Sequence, residues 1–114
     1  MTTLYGIKNC DAVKKARDWL TKSGIDYRFH DFRADGLEKA QVKEWINEIG
    51  LETLVNKRST TWKELAESVK ANFDEGSAVD VILENPTLIK RPLLTTNKQI
   101  LVGFKEAEYL NIFN

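Results

Sequence analysis

Cys10 is the only cysteine of this chain, and its neighbourhood is of the kind that turns a thiol into a nucleophile. It stands at the join between a strand-like run, Thr3-Leu4-Tyr5-Gly6-Ile7, and an amphipathic run from Cys10 to Leu20. That join puts it in the loop before a helix or on the helix's first turn. Unpaired backbone N–H groups and the positive end of the helix dipole favour an anion there, and the thiolate is the reactive form of cysteine. Lys8 precedes Cys10 and Lys14 follows one helical turn later; both favour the thiolate, while the adjacent Asp11 opposes it. A lone cysteine is most often a small buried hydrophobe; the strand–cysteine–helix setting favours the nucleophile. A dithiol redox helix needs a second cysteine at position 13, which here is Val13. Any redox cycle must therefore use an external thiol as resolver, with glutathione the obvious candidate.

Other groups rank behind it. Arg91 offers a planar donor fork for a carboxylate, sulfonate or oxyanion, against the plainer reading of a solvated charge at a strand edge. Lys57 and Arg58 lie in the polar segment Asn56-Lys57-Arg58-Ser59-Thr60-Thr61-Trp62. They are placed either to supply positive charge over Cys10 or to be solvated in a loop. Trp19, Trp45 and Trp62 fall at core spacing. His30 is the only histidine and has no partner cluster, so no metal site is expected. The carboxylates fall on helix exteriors and caps, and no Gly-rich phosphate loop is present.

The elements that must position these residues follow from periodicity. Val13, Ala16 and Leu20 mark one face of the first helix, which Gly24 ends. From Ile25 to Phe32 the chain alternates, with Ile25, Tyr27 and Phe29 on one face and Arg28, His30 and Phe32 on the other. This predicts a second strand and a βαβ unit with a parallel pair. Three helices are expected between residues 36 and 85, with starts marked by Asp35/Glu38, Thr61/Glu64 and Ser77/Asp80 and a stop at Pro86. Leu93–Thr96 and Gln99–Phe104 read as a hairpin, and Lys105–Ile112 as a last short helix. The order β-α-β, helices, β-β-α predicts an α/β, thioredoxin-like fold. It has a mixed four-stranded sheet and a helical insertion at about 36–86 within one domain spanning 1–114. In that arrangement Pro92 occupies the place of a proline, usually cis, that precedes the third strand and faces the cysteine.

Composition narrows the class. Seventeen basic and seventeen acidic residues cancel, so bulk charge gives no case for nucleic-acid or membrane partners. Hydrophobic residues at 42% and charged residues at 30% fit a globular protein with its own core. One cysteine suits a reducing compartment. The N-terminus carries no signal-peptide pattern, and no apolar run approaches the ~20 residues of a membrane span. A cytoplasmic location is expected.

Gly6-Ile7-Lys8-Asn9-Cys10-Asp11, Asn56-Lys57-Arg58-Ser59-Thr60 and Leu88-Ile89-Lys90-Arg91-Pro92-Leu93, in this order and spacing, together resemble the ArsC/Spx family, most closely its small YffB-type branch. The resemblance spans essentially the whole chain. It implies that Cys10 matches the cysteine that attacks arsenate in the family's reductases. Of the three arginines that cradle the oxyanion there, Arg91 matches the second and Arg58 stands offset from the first. The third falls near Gly103-Phe104, where this chain has no arginine. The YffB-type branch implies glutathione binding and thiol reduction. Cys10 is then catalytic, and Lys8, Asn9, Lys14, Arg58, Arg91 and Pro92 bind glutathione or substrate. Glutathione serves as co-substrate without a tightly bound cofactor or metal. The implied partners are a disulfide or glutathionylated substrate and a glutaredoxin. Alternatives are an arsenate reductase with an incomplete oxyanion site, and a non-catalytic Spx-like regulator that binds RNA polymerase.

Overall fold

The computed structural model describes residues 1–113, in two compact units. The first comprises Met1–Ala34 and the segment from Arg91 on. It contains β1 (Thr3–Gly6), α1 (Asp11–Lys22), β2 (Arg28–Asp31), β3 (Leu93–Thr95), β4 (Ile100–Val102) and α7 (Glu106–Phe113). The strands form one sheet in the order β2-β1-β3-β4. β1 runs parallel to β2 and antiparallel to β3, and β3 pairs antiparallel with β4. This is the expected thioredoxin-like arrangement.

The register explains why the alternating residues matter. Phe29, Leu4, Leu94 and Leu101 are successive cross-strand partners. Partners share a face, and all four pack with Val13, Ala16 and Leu20 of α1 and Tyr109 of α7. The next row, His30, Tyr5, Leu93 and Val102, faces the other way; Tyr5 lies 4.9 Å from the His30 ring and 6.3 Å from Phe32. The two predicted faces of β2 are thus borne out. Trp19 links the two helices, edge-on to Tyr109 at 5.6 Å, with its indole N–H donating to Glu106 Oε1 at 3.3 Å. Tyr109 is fully buried and its hydroxyl has no partner among the described residues. Burial, with a smaller push from the Glu108 charge, raises its pKa far above that of a free phenol.

One contact sets how α1 seats on the sheet. A Cβ placed on Gly6 would lie 2.6 Å from Val13 Cγ2, so only glycine lets the end of β1 approach the first turn of α1 this closely.

The second unit, Asp35–Lys90, corrects the expectation of three helices. It holds α2 (Lys39–Ile49), α3 (Leu51–Leu54), α4 (Thr60–Lys63), α5 (Glu67–Ala71), α6 (Glu75–Glu84) and a 3-10 turn at Pro86–Leu88. α2 packs on α3 and α6, with Val42, Trp45, Ile46, Ala78, Val79 and Ile82 buried. The expected Thr61 helix breaks in two. Ser59 Oγ accepts the Trp62 N–H at 3.1 Å and starts α4 early. Ala66 is extended, and Lys70 Nζ takes the Lys63 carbonyl at 3.0 Å, which a continuous helix would give to Glu67. Asp74, not Ser77, caps α6, in a reciprocal box with Ser77. An antiparallel bridge between Val55 and Ile89 ties the residue after α3 to the segment that leaves the 3-10 turn.

Gly6→Ala should therefore overpack the α1–sheet contact and cost about 1–3 kcal/mol, the usual range for added volume in a full core. Val13→Ala in the same chain should recover part of that loss. Urea unfolding of the two single variants and the double variant measures it, and additive effects would show that the residues do not compete for space.

Candidate active site

The register brings one end of the sheet to chemical attention. The C-terminal ends of the parallel strands β1 and β2 lie there, with Gly6 opposite Asp31. β3 runs the other way, so its entry segment, Arg91-Pro92, is at the same end. β4 ends there as well: Gly103 donates its N–H to the Pro92 carbonyl at 2.8 Å. The loop from Ile7 to Cys10 leaves β1 at this edge. Cys10, Lys8, Asn9, Lys14, Arg91 and Pro92 thus all belong to segments that meet at one end of the first unit.

Cys10 is the N-cap of α1. Its backbone is extended (φ −108°, ψ 124°), and its carbonyl accepts the Lys14 N–H at 3.0 Å, closing the first turn. The thiol makes no capping hydrogen bond. It is half-buried and packs at the margin of the α1–sheet core, while Lys8, Asn9, Asp11 and Lys14 are exposed. Cys10 therefore combines a fixed backbone with partial exposure, beside the unpaired N–H groups that open a helix. Position 13 is different. Val13 is fully buried over Gly6.

Arg91-Pro92 is a cis peptide, as the position of Pro92 in the fold predicts. Pro92 is buried and Arg91 half-buried. Gly103, near which the family resemblance expects a third arginine, has φ +79° and contributes only backbone. Arg58 lies in the second unit, exposed, with its N–H on Asn56 Oδ1 at 3.0 Å. Neighbouring Lys57 holds its ammonium 5.3 Å from the Trp62 ring centre. Trp62 is half-buried and edge-on to Phe73 at 5.0 Å, less enclosed than core spacing implied. Among the described residues no cluster of three or more His, Cys, Asp or Glu is arranged to hold a metal ion, and no helix is long and apolar enough to cross a membrane.

The sequence profile of the ArsC family matches residues 5–112. The chain belongs to the ArsC family. It is 49% identical over 113 residues to an uncharacterised protein of Haemophilus influenzae, covering 99% of each chain. It is 31% identical to the global transcriptional regulator Spx of Streptococcus agalactiae, covering 95% of this chain and 80% of the relative. Among solved structures, the YFFB (PA3664) protein superposes with a TM-score of 0.93 at 41% identity, covering 97% of both chains.

Asp31 escaped the sequence reading. As one of many carboxylates, it carries no motif that marks it. It is 7% exposed, and one oxygen accepts the Arg33 N–H at 2.8 Å and the Ala34 N–H at 3.2 Å. Burial opposes its ionisation, but these bonds, the Lys8 N–H and the Lys8 charge outweigh it and hold the carboxyl below its ordinary pKa. A group whose pKa is depressed on folding stabilises the fold above its unfolded pKa of about 3.9, and that stability is lost as pH falls through the folded value. Asp31→Asn should therefore be less stable than the parent at neutral pH. The gap should narrow as pH is lowered from about 5 to 2, read from urea midpoints across that range. A gap independent of pH would contradict the assignment.

Proposed function

We propose that this ArsC-family chain is an oxidoreductase, a glutathione-dependent thiol reductase of the cytoplasm with Cys10 as its single nucleophile. The observation that carries the reading is Cys10 at the N-cap of α1, at the sheet end that also holds the cis Arg91-Pro92 segment. The Cys10 thiolate attacks the disulfide bond of a glutathionylated substrate. That bond breaks, the substrate thiolate leaves with the electron pair and takes a proton from solvent, and a mixed disulfide with glutathione stays on Cys10. A second glutathione, as thiolate, attacks the glutathionyl sulfur, releases Cys10 and departs as oxidised glutathione. One glutathionylated thiol and one glutathione thus become a free thiol and oxidised glutathione.

Cys10 acts from the N-terminus of α1, with Lys14 one turn on in the same helix. Lys8, Asn9 and Arg91 supply cations and hydrogen bonds for the two carboxylates of glutathione, and Pro92 shapes the platform for its peptide backbone. For Arg58, which belongs to the second unit, the part in glutathione binding is the one implied by its basic segment and the family resemblance. No resident cofactor or metal is required.

Arsenate reduction, coupled to glutathione and a glutaredoxin, fits less well. With glycine at position 103 the cradle lacks a charge-assisted hydrogen bond worth about 1.5–3 kcal/mol, or roughly tenfold to a hundredfold in affinity. The identity to an Spx regulator favours a different second reading, a protein that binds RNA polymerase without catalysis. The buried Val13 at the position a second thiol would need argues against a dithiol switch in that role.

Cys10→Ser should reduce release of oxidised glutathione from a glutathionylated peptide to the uncatalysed rate while leaving the unfolding curve nearly unchanged. A coupled assay with glutathione reductase measures it. Activity persisting in the variant overturns the proposal, and recovery of polymerase by an inactive wild-type chain would turn the assignment to the regulator.

A further inference from the structure

The end of β2 and the loop before Cys10 are joined by a buried charge. Phe32 donates its N–H to the Gly6 carbonyl at 2.9 Å, so the chain after β2 is pinned to the last residue of β1. Asp31 is the cross-strand partner of Gly6. By the alternation of β2 it shares the face of Phe29, the face that α1 covers. Gly6 is also where Val13, in the first turn of α1, approaches the sheet most closely. The Asp31 carboxylate is thus set beside the landing point of α1, two residues in register from Lys8. Its contacts with the Arg33 and Ala34 N–H groups fold the exit of β2 back on itself. The Lys8 N–H and ammonium act on the same carboxylate from the Cys10 side.

A buried carboxylate is costly unless it is paired or hydrogen-bonded. Its partners here come from two different loops at the reactive end of the sheet. We propose that Asp31 is a positioning residue for the reductase cycle: it ties the Ile7–Asn9 loop to the exit of β2 and so holds Cys10 at the N-terminus of α1. Asp31 acts through Lys8 and the loop. This inference rests on the reading of Cys10 as the nucleophile.

The test compares Asp31→Asn with Asp74→Ala. The first keeps the shape and the acceptor oxygen for Arg33 and Ala34 but loses the charge that Lys8 faces. The second removes the cap of α6 in the other unit and lowers stability by a comparable amount. Asp31→Asn should lower kcat with a glutathionylated peptide about tenfold and raise the KM for glutathione as the Lys8–Asn9 loop loosens. Amide hydrogen exchange at Lys8 and Asn9, followed by NMR, should speed up about tenfold. Asp74→Ala should change none of these. Equal kcat and equal exchange in Asp31→Asn and parent, or equal losses in both variants, would overturn the proposal. The exchange measurement needs no turnover. A wild-type chain without reductase activity would therefore defeat the functional reading alone, and the exchange rates would still decide whether Asp31 holds the loop.

Discussion

Everything at the reactive end of the molecule depends on how closely α1 lies on the end of β1. The distance available above Gly6 is too short for any side chain, since a Cβ there would meet Val13 Cγ2 at 2.6 Å. The β1–α1 loop is consequently only four residues long, from Ile7 to Cys10, and the helix must begin where the strand has just ended. Cys10 becomes the N-cap because there is no further chain to spend between the two elements. The same approach buries Val13, the residue that stands where a dithiol helix would carry its second cysteine, so Cys10 has no thiol partner within the chain.

The opposite direction of β3 adds the second half of the site. Because β3 is antiparallel to β1, its first residues arrive where the last residues of β1 leave. The cis Arg91-Pro92 segment and the Cys10 loop are thereby brought to one end by sheet topology alone. β4 returns to this end in Gly103, which bonds the Pro92 carbonyl and adds no side chain. Among the described residues this end carries one sulfur, with Lys8, Lys14 and Arg91 on the segments that meet there. The proposal of a monothiol resolved by glutathione rests on this set, which lacks the third arginine that a multiply charged oxyanion would need.

Much of this was legible in the residues. The alternation from Ile25 to Phe32 separated the two faces of β2, and the spacing of Val13, Ala16 and Leu20 marked the buried stripe of α1. Cys10 and Pro92 stood at junctions that the element order alone identifies. The insertion was less legible because short helices are set by competing local hydrogen bonds rather than by periodicity. Trp62, Leu65, Ala66 and Val69 have helical spacing, yet Ser59 Oγ starts α4 early and Lys70 Nζ captures the Lys63 carbonyl that a single helix would use. Asp31 was invisible for a related reason. Nothing in the run Arg28-Phe29-His30-Asp31 says that its carboxylate will be buried, since that follows from where Gly6 and the Lys8 loop lie in three dimensions.

The most direct test of the account is intact-mass spectrometry of the wild-type chain mixed with excess glutathionylated peptide, before and after addition of free glutathione. The account predicts one glutathionyl group, mapped to Cys10, that forms in the first step and disappears in the second with release of oxidised glutathione. A chain that stays unmodified, or an adduct that glutathione fails to remove, would contradict it.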